Sequence, residues 1–303
     1  MNTLIIGYGS VGQRHSRILQ SLDCHVSIVS RHAAPSLLPT YRCEKDGLQA
    51  VNPDVVVVSN RTHEHFGTLC ALREQGYKGV VLMEKPLFDG ARTLPPEYLH
   101  NVFVAYNLRF HPVLNRLKSL VKQDRVVSTQ VYVGQYLPIW RQGDYRLCYS
   151  AKRQEGGGAL RDLSHELDYV QWLFGKWRQV TALGGHCSNL EIDSDDVCGI
   201  LMKTNQCPVL NIQMNYLDRL GRRQILVNTD AHTYVADLMH NTLQVDRDVK
   251  EYPCTPDLTY RKQLQALILG QYNELCSAKE ALAIVDLIEE VEQCMQRRRW
   301  VTR

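Results

Sequence analysis

Three glycines near the start of the chain restrict the fold more than any other feature of the sequence. The segment Gly7-Tyr8-Gly9-Ser10-Val11-Gly12 follows an apolar run at 3–6 and opens a stretch of helical spacing. In such a strand–turn–helix, the first glycine permits the tight turn, the second lets the backbone approach a pyrophosphate, and the third lets the helix pack closely. The helix amides and dipole would hold the anion. The segment therefore predicts a dinucleotide-binding turn.

Strand-length apolar runs alternate with helical patterns up to about residue 105. The runs cover 3–6, 26–29, 55–58, 80–83 and 102–105, and helical spacing covers 11–22 and 63–75. Strands that are apolar throughout are typical of a parallel sheet covered by helices on both faces. The alternation predicts an α/β Rossmann domain with a doubly wound parallel sheet over residues 1–106.

The pattern changes after residue 125, where strand-like segments follow one another without helices between most of them. They cover 126–136, 179–184, 197–203, 208–216, 224–228 and 232–237, and helices are predicted at 159–174, 258–276 and 279–297. Successive strands of this kind favour antiparallel pairing. Residues 107–303 are therefore predicted to form an α+β domain with a mainly antiparallel sheet.

Composition excludes several classes of protein. The 303 residues are 44% hydrophobic and 22% charged with a formal charge of +3, which is typical of a globular chain and argues against a nucleic-acid partner. Ten cysteines without a C-x-x-C pair indicate reduced thiols and no metal site. No signal-peptide pattern and no apolar run of roughly 18 residues is present, so we expect a cytoplasmic protein without a membrane partner.

The residues that follow the second predicted strand bear on the choice of cofactor. NAD enzymes usually carry an acidic residue there for the ribose 2′-hydroxyl, whereas this chain has Ser30, Arg31 and His32. A hydroxyl followed by a guanidinium suits a 2′-phosphate. We therefore predict NADP in preference to NAD. An Arg31 that is solvated, or stacked on adenine, would leave that preference open.

Several ordered motifs resemble the family of glucose-fructose oxidoreductase, inositol dehydrogenase and MocA (Gfo/Idh/MocA). Glu84-Lys85-Pro86 matches its E-K-P signature, and 60–65 resembles its T-P-x-x-x-H turn with Arg61 in place of proline. The segment 103–112 resembles the family's crossing between domains. The glycines at 156–158, followed by Asp162, His165 and Asp168, resemble the entry to its acid/base helix.

The resemblance implies a Rossmann domain joined to a large open-faced sheet, with the nicotinamide in the cleft between them. Oxidising a secondary alcohol requires a base for the hydroxyl proton, while nicotinamide C4 takes the hydride. By resemblance, Lys85 contacts the reacting oxygen and His165 exchanges the proton. Asp162 is the third catalytic candidate, although its spacing of three from His165, where many members have four, also fits a capping or orienting role. Further cofactor contacts are expected from Asn60, Arg61, Thr62, His65, Glu84 and Lys85.

The loop from Tyr136 to Tyr149 has the composition of a carbohydrate site. It combines aromatic rings with two arginines and an aspartate, and with Arg109 these arginines favour an anionic sugar. The alternative is an ordinary loop packed on the sheet. The loop and the 156–169 segment resemble a subgroup associated with bacterial surface-glycan sugars, including nonulosonic acids, which implies an acidic or nucleotide-linked substrate. The predicted substrate-binding residues are Lys85, Asn107, Arg109, Trp140, Arg141, Tyr145, Arg146, Tyr149, Asp162 and His165.

These features predict an NAD(P)-dependent sugar dehydrogenase or reductase acting on CH–OH groups. Two alternatives stay open: a redox-neutral epimerase or glycosidase with tightly held NAD, and a cofactor-binding regulator without catalysis. A homodimer or homotetramer is expected because an open sheet face would otherwise expose apolar strands.

Overall fold

The computed structural model describes residues 1–31, 37–140, 143–297 and 301–302, which fall into two compact units. The first unit comprises Met1–Asn107 and Pro256–Val285, and the second comprises Leu108–Thr255 and Asp286–Arg303. The predicted boundary at 106 lies next to the observed one. Residues 256–285, which were assigned to the second domain, belong instead to the first unit.

The chain up to Asn107 contains alternating strands and helices. The strands are Asn2–Ile6 (β1), His25–Val29 (β2), Thr40–Tyr41 (β3), Val55–Val58 (β4), Val80–Met83 (β5) and Val102–Val104 (β6); the helices are Ser10–Gln20 (α1), Glu44–Val51 (α2) and His65–Glu74 (α3). The five predicted strands are confirmed to within one residue. The two short elements β3 and α2 were not predicted, since neither has a long periodic pattern.

Residues 108–255 form most of the second unit. The helices are Pro112–Val121 (α4), Leu137–Trp140 (α5), Ala159–Asp162 (α6) and His165–Phe174 (α7); the strands are Val126–Gly134 (β7), Trp177–Gly185 (β8), Val197–Thr204 (β9), Val209–Asn215 (β10), Arg222–Thr229 (β11), Thr233–Asp237 (β12), Thr242–Val245 (β13) and Asp248–Glu251 (β14). The chain then continues with Leu258–Ile268 (α8), Cys276–Ser277 (β15), Ala278–Arg297 (α9) and Val301–Thr302 (β16).

Two helix predictions were wrong in extent. The single helix predicted at 159–174 is interrupted at Leu163 and Ser164, so that Asp162 ends α6 and His165 begins α7. The helix predicted at 258–276 ends at Ile268, because Gly270 adopts the left-handed conformation with φ +70°. The chain then returns to the first unit, where α8 packs on α1 and β15 pairs with β6.

The first sheet has the strand order β15-β6-β5-β4-β1-β2-β3. All pairs from β3 to β6 are parallel, and β15 is the antiparallel edge strand. The central strands are fully buried at Leu4, Ile5, Val56, Val57 and Leu82. In this doubly wound order the chain reverses direction across the sheet at β1, so the glycine turn lies at the switch point where such folds bind ligands.

The second sheet has the strand order β14-β13-β12-β11-β7-β10-β9-β8-β16. Its pairs are antiparallel except β7 with β10. One face is buried, with α4 against β12 and β13 and α6 against β9 and β10. The other face leaves Leu183, Leu201 and Val209 exposed by 68%, 41% and 51%. The predicted fold class, a doubly wound α/β domain plus an α+β domain with a mainly antiparallel sheet, is confirmed.

The parallel pair determines which loops of the second unit meet. Gly134 at the end of β7 is in register with Asn215 at the end of β10 and with Arg222 at the start of β11. We call this border of the sheet the Gly134 edge. The loop after β7 and the turn between β10 and β11 both begin there.

The helices of the described ranges include none that is long and apolar enough to cross a bilayer.

A buried ion pair ties α7 to the chain before α4. The Arg109 guanidinium donates to both Asp168 oxygens at 2.6–3.1 Å, with the two side chains 4% and 1% exposed. The ring of Trp172, one turn further along α7, lies 6.0 Å from the guanidinium. The pair gives Asp168 a structural role and uses the charge that was expected to bind substrate.

Replacing Asp168 with alanine should strongly destabilise the second unit, because the substitution leaves the Arg109 guanidinium buried without a counter-charge. Breaking such a pair costs about 3–5 kcal/mol, which urea unfolding would measure. Asp230→Ala is the matched control, since it removes an exposed pair with Arg125 and should leave the urea midpoint nearly unchanged. Equal midpoints for the two variants would contradict the prediction.

Candidate functional site

The three glycines of the first turn have different surroundings. A Cβ on Gly7, whose φ is +93°, would lie 2.5 Å from the Asn60 amide nitrogen, and one on Gly12 would lie 2.2 Å from the Gly7 carbonyl oxygen. At Gly9 no described atom lies within 4 Å of the same position. Gly7 and Gly12 thus permit close packing of the turn, whereas Gly9 leaves its backbone open to a ligand.

The start of α1 can receive an anion. Gly9 is the N-cap residue, no side chain of the described residues caps this end, and the first turn carries no acidic residue. Tyr8, Gly9, Ser10 and Val11 are all at least partly accessible. Unpaired helix amides and a positive dipole end are what a phosphate requires. The residues present therefore fit the pyrophosphate of a dinucleotide.

Ser59 belongs to this turn but was missed by the sequence analysis. Its hydroxyl donates to the Gly7 carbonyl oxygen at 2.8 Å and so joins the end of β4 to the glycine turn. The available signal was its position, directly after the four valines of β4 and next to β1 in a doubly wound sheet.

A carboxylate from another part of the chain, that of Glu64, lies beside the end of β2. Arg31 donates to Glu64 Oε1 at 3.2 Å, and its side chain is 78% exposed. Ser30 directly precedes it, and His32 lies outside the described residues. Glu64 comes from the turn after β4, which is why the chain order did not reveal it. Its charge partly offsets Arg31 and weakens the case for a 2′-phosphate.

The residues of the turn after β4 mainly contact other parts of the first unit. Arg61 has φ −70°, close to the angle that proline would impose, which explains how it replaces the family's proline. Asn60 donates to the Thr68 hydroxyl at 2.9 Å, and Thr62 begins the short helical turn that follows. His65 is buried between the carbonyl oxygens of Asn60, Pro86 and Leu87, at 3.1–3.3 Å. Burial lowers the pKa of His65, and the ring braces the Lys85 loop through its contacts with the Pro86 and Leu87 carbonyl oxygens.

Glu84 connects the Lys85 loop to α1. Its Oε1 lies 2.7 Å from Nε2 of the fully buried His15, and its Oε2 accepts the Lys85 backbone amide at 3.3 Å. The ring of Tyr260 lies edge-on to His15, and burial together with the Glu84 charge raises the pKa of Tyr260 to about 12. His15 was also missed, although it lies three residues after Gly12 on the buried side of α1. Lys85 itself is partly exposed.

Asp162 accepts three hydroxyl groups in the second unit. Its carboxylate oxygens accept hydrogen bonds from the hydroxyls of Tyr149 and Ser150 at 2.5 Å each and from the Tyr216 hydroxyl at 2.8 Å. The residue is 5% exposed. The preceding glycine run allows this, since a Cβ on Gly157 would lie 2.2 Å from the Tyr149 carbonyl oxygen. Because the helix is interrupted, Asp162 and His165 lie on separate helices, and their spacing of three does not place them on one helix face. His165 is half-buried at the first position of α7.

Some of the predicted substrate-binding residues lie together in the second unit, and others do not. Trp140 packs 6.1 Å from the Tyr216 ring and Tyr149 bonds to Asp162, so these aromatic side chains are brought together. Tyr145 accepts the Glu191 amide at 3.2 Å. Asn107, by contrast, is buried in the first unit, where it donates to Thr259 at 2.7 Å. Arg141 lies outside the described residues.

Arg146 is already paired. Its guanidinium donates to Asp144 and to Glu191 at 2.8 Å each, and these carboxylates raise the pKa of Arg146. An incoming anion would have to compete with both. Within the described ranges, no three histidine, cysteine or carboxylate side chains are grouped as a metal site.

The first unit has the doubly wound sheet and open glycine turn of a Rossmann dinucleotide-binding fold. Residues 116–235 match the family model of the GFO/IDH/MocA C-terminal domain. The family match covers this segment of the second unit, and it supports the resemblance drawn from the sequence motifs. A search of curated proteins finds no match.

Solved structures share the fold over the whole chain. GenD2 from gentamicin A biosynthesis, in complex with NAD, is 18% identical with a TM-score of 0.83, covering 100% of this chain and 96% of its own. Levoglucosan dehydrogenase, in complex with NADH and L-sorbose, is 13% identical with a TM-score of 0.85, covering 100% of this chain and 98% of its own. The WlbA dehydrogenase from Bordetella pertussis, in complex with NADH and UDP-GlcNAcA, is 16% identical with a TM-score of 0.77, covering 100% of this chain and 97% of its own. At these identities the likeness establishes the fold.

Two alanine substitutions should separate ligand binding from folding in the glycine turn. Gly9→Ala adds a methyl group in open space at φ −73°, so the melting temperature should stay unchanged while NADH binds at least about tenfold more weakly. Gly12→Ala inserts its methyl group against the Gly7 carbonyl and should lower the melting temperature, at a cost of about 1–3 kcal/mol. Wild-type NADH affinity in folded Gly9→Ala protein would contradict the assignment.

Proposed function

We propose that the chain is an NAD(P)-dependent oxidoreductase that transfers hydride between nicotinamide C4 and a secondary alcohol or ketone of a sugar. The uncapped start of α1 beside the open Gly9 backbone carries this proposal. A bound nicotinamide supplies the hydride acceptor or donor. The complexes of GenD2 with NAD and of levoglucosan dehydrogenase with NADH and L-sorbose support the cofactor and substrate classes.

Lys85 and His165 have separate tasks in this proposal. The Lys85 ammonium binds the reacting oxygen and stabilises negative charge on it. Its loop is held by Glu84, which accepts the Lys85 amide, and by the buried His65 ring. His165 accepts or returns the hydroxyl proton, a task suited to an imidazole near neutral pH. Asp162 acts as a positioning residue, because its carboxylate accepts the hydroxyl groups of Tyr149 and Tyr216 and so fixes the orientation of both rings.

The finer substrate assignment is an anionic sugar, either acidic or nucleotide-linked and belonging to surface-glycan chemistry. Arginine and aromatic side chains in the 136–149 loop support it. The complex of WlbA with NADH and UDP-GlcNAcA, a structure of the same fold, also supports it. All ten cysteines are free thiols, which fits a reducing compartment such as the cytoplasm.

The open face of the second sheet supports a homodimer or homotetramer. Leu183, Leu201 and Val209 are exposed on it, and covering them with a second copy of the chain would remove apolar surface from water. The mass of a single chain in light scattering would contradict this assembly.

Hydride transfer can be tested with purified protein, NAD⁺ or NADP⁺, and a panel of neutral and acidic sugars, by following formation of the reduced nicotinamide. Lys85→Met and His165→Asn should each lower kcat about 10²–10⁴-fold. The first removes the cation that stabilises negative charge on the reacting oxygen, and the second removes the group that exchanges the hydroxyl proton. Lys78→Met, which removes an exposed lysine before β5, is the matched control.

Wild-type turnover in both variants would contradict the assigned roles. Conversion of a sugar without net change in reduced nicotinamide would instead identify the redox-neutral alternative. Cofactor binding without conversion of any sugar in the panel would favour the regulator.

The proposed preference for NADP depends on the balance between Arg31 and Glu64. Glu64→Gln keeps an acceptor for Arg31 but removes the charge that competes with a 2′-phosphate, so the affinity ratio of NADPH to NADH should rise. Arg31→Ala should lower that ratio about tenfold. Parallel fluorescence titrations with both nucleotides measure it, and a ratio that neither substitution changes would exclude this pair from cofactor choice.

A further inference from the structure

We propose that Arg219, held over the ring of Tyr136, binds the anionic group of the sugar substrate. The ligand chemistry is a carboxylate on the sugar or the diphosphate of a nucleotide-linked sugar. This inference rests on the proposed sugar oxidoreductase function and assigns the charge recognition within it. Arg219 was not among the residues predicted from the sequence.

Arg219 lies at the same sheet edge as the predicted sugar-binding aromatics. It is part of the turn between β10 and β11, both of which meet β7 at the Gly134 edge. Its guanidinium lies 4.4 Å from the ring centroid of Tyr136, the residue that leads into the loop after β7. Tyr216, at the start of the same turn, packs near Trp140 and donates to Asp162. One edge thus combines a cation with several aromatic rings.

The turn that carries Arg219 is held in place by its own hydrogen bonds. Asn215 Oδ1 accepts the amides of Leu217 and Asp218 at 3.0 Å each. Asp218 in turn accepts the Leu220 amide and the Tyr132 hydroxyl, both at 2.9 Å. A Cβ on Gly134 would lie 2.4 Å from the Asp218 Cβ, so glycine is required for this close approach. A turn ordered in advance lowers the entropy cost of binding.

The distribution of charge separates Arg219 from its neighbour Arg222 and from the arginines of this unit that were predicted to bind substrate. Arg146 is paired with two carboxylates and Arg109 is buried on Asp168. Arg222 Nε lies 3.6 Å from Asp218. Among the described residues, no carboxylate forms an ion pair with the exposed Arg219, whose partner is the neutral Tyr136 ring. An anion can therefore bind Arg219 without displacing a carboxylate.

Stacking on a ring leaves the guanidinium able to recognise an anion. A guanidinium that stacks on a ring uses its flat face, whereas its N–H donors lie in the plane. Here Nη2 donates to the Tyr136 hydroxyl oxygen at 3.5 Å, and further donors are left for an anion. Two of them match a carboxylate or phosphate in a bidentate arrangement. The tyrosine orients the cation, and the anion supplies the missing counter-charge.

The test compares wild type with Arg219→Gln and Arg247→Gln by calorimetric titration, with and without NADH. The probes are D-glucuronate against D-glucose and UDP against uridine, so each anion has a neutral counterpart. Arg247 lies in the turn between β13 and β14, which the strand register places at the border opposite the Gly134 edge. It is also exposed, which makes it a matched control for loss of one surface charge.

We expect wild type to bind one anionic probe more tightly than its neutral counterpart. Arg219→Gln should weaken that binding about ten- to a hundredfold, the range expected for lost hydrogen bonds to a charged group. Binding of neutral probes, NADH affinity and melting temperature should not change, and Arg247→Gln should behave as wild type. Loss confined to glucuronate identifies a sugar carboxylate, and loss confined to UDP identifies a diphosphate.

Three results would overturn the assignment: no preference of wild type for either anion, unchanged anion binding in Arg219→Gln, or an equal loss in Arg247→Gln. Failure of the proposed function is seen separately, as absence of NADH binding in wild type. A selective loss of anion binding in Arg219→Gln would still support the anion site in that case.

Discussion

The close approach of the glycine turn to the end of β4 is the constraint on which the first unit depends. The Gly12 backbone packs against the Gly7 carbonyl and the Ser59 hydroxyl, where a methyl group would collide. This contact lets α1 start directly above the sheet at the switch between β1 and β4. His15, one turn further along α1, then reaches Glu84, and Glu84 holds the backbone of Lys85. A candidate phosphate site and a candidate catalytic lysine thus share one support.

In the second unit, a comparable role belongs to the parallel pairing of β7 with β10. Antiparallel neighbours would carry the ends of these strands to opposite borders, whereas parallel ones bring them to the same edge. The loop with Tyr136 and Trp140 and the turn with Tyr216 and Arg219 meet there as a result. Asp162 joins this group by accepting Tyr149 and Tyr216 hydroxyls. Side chains more than fifty residues apart in the chain thereby form one polar and aromatic surface.

The arginines illustrate what residue type alone leaves open. Arg31, Arg109 and Arg146 were all chosen from the sequence as binders of anions, and each is paired with a carboxylate of the protein. The partners Glu64, Asp168 and Glu191 are separated from them by 33 to 59 positions in the chain, and only Asp144, the second partner of Arg146, is a near neighbour in the sequence. A guanidinium can bind a ligand only as far as its counter-charges permit, and those are arranged by the fold. Arg219 differs because its described partner is a ring.

The sequence by itself determined the fold class, the five main strands of the Rossmann sheet and the glycine turn, because these depend on local periodicity and on short motifs with fixed spacing. Only the tertiary structure decided that 256–285 joins the first unit, that the helix breaks between Asp162 and His165, that Ser59 and His15 support the glycine turn and the Lys85 loop, and that Arg219 lies over Tyr136. These features arise from contacts between residues distant in the chain. Such contacts leave no periodic signal, since packing and charge pairing depend on distances that exist only after the chain has folded.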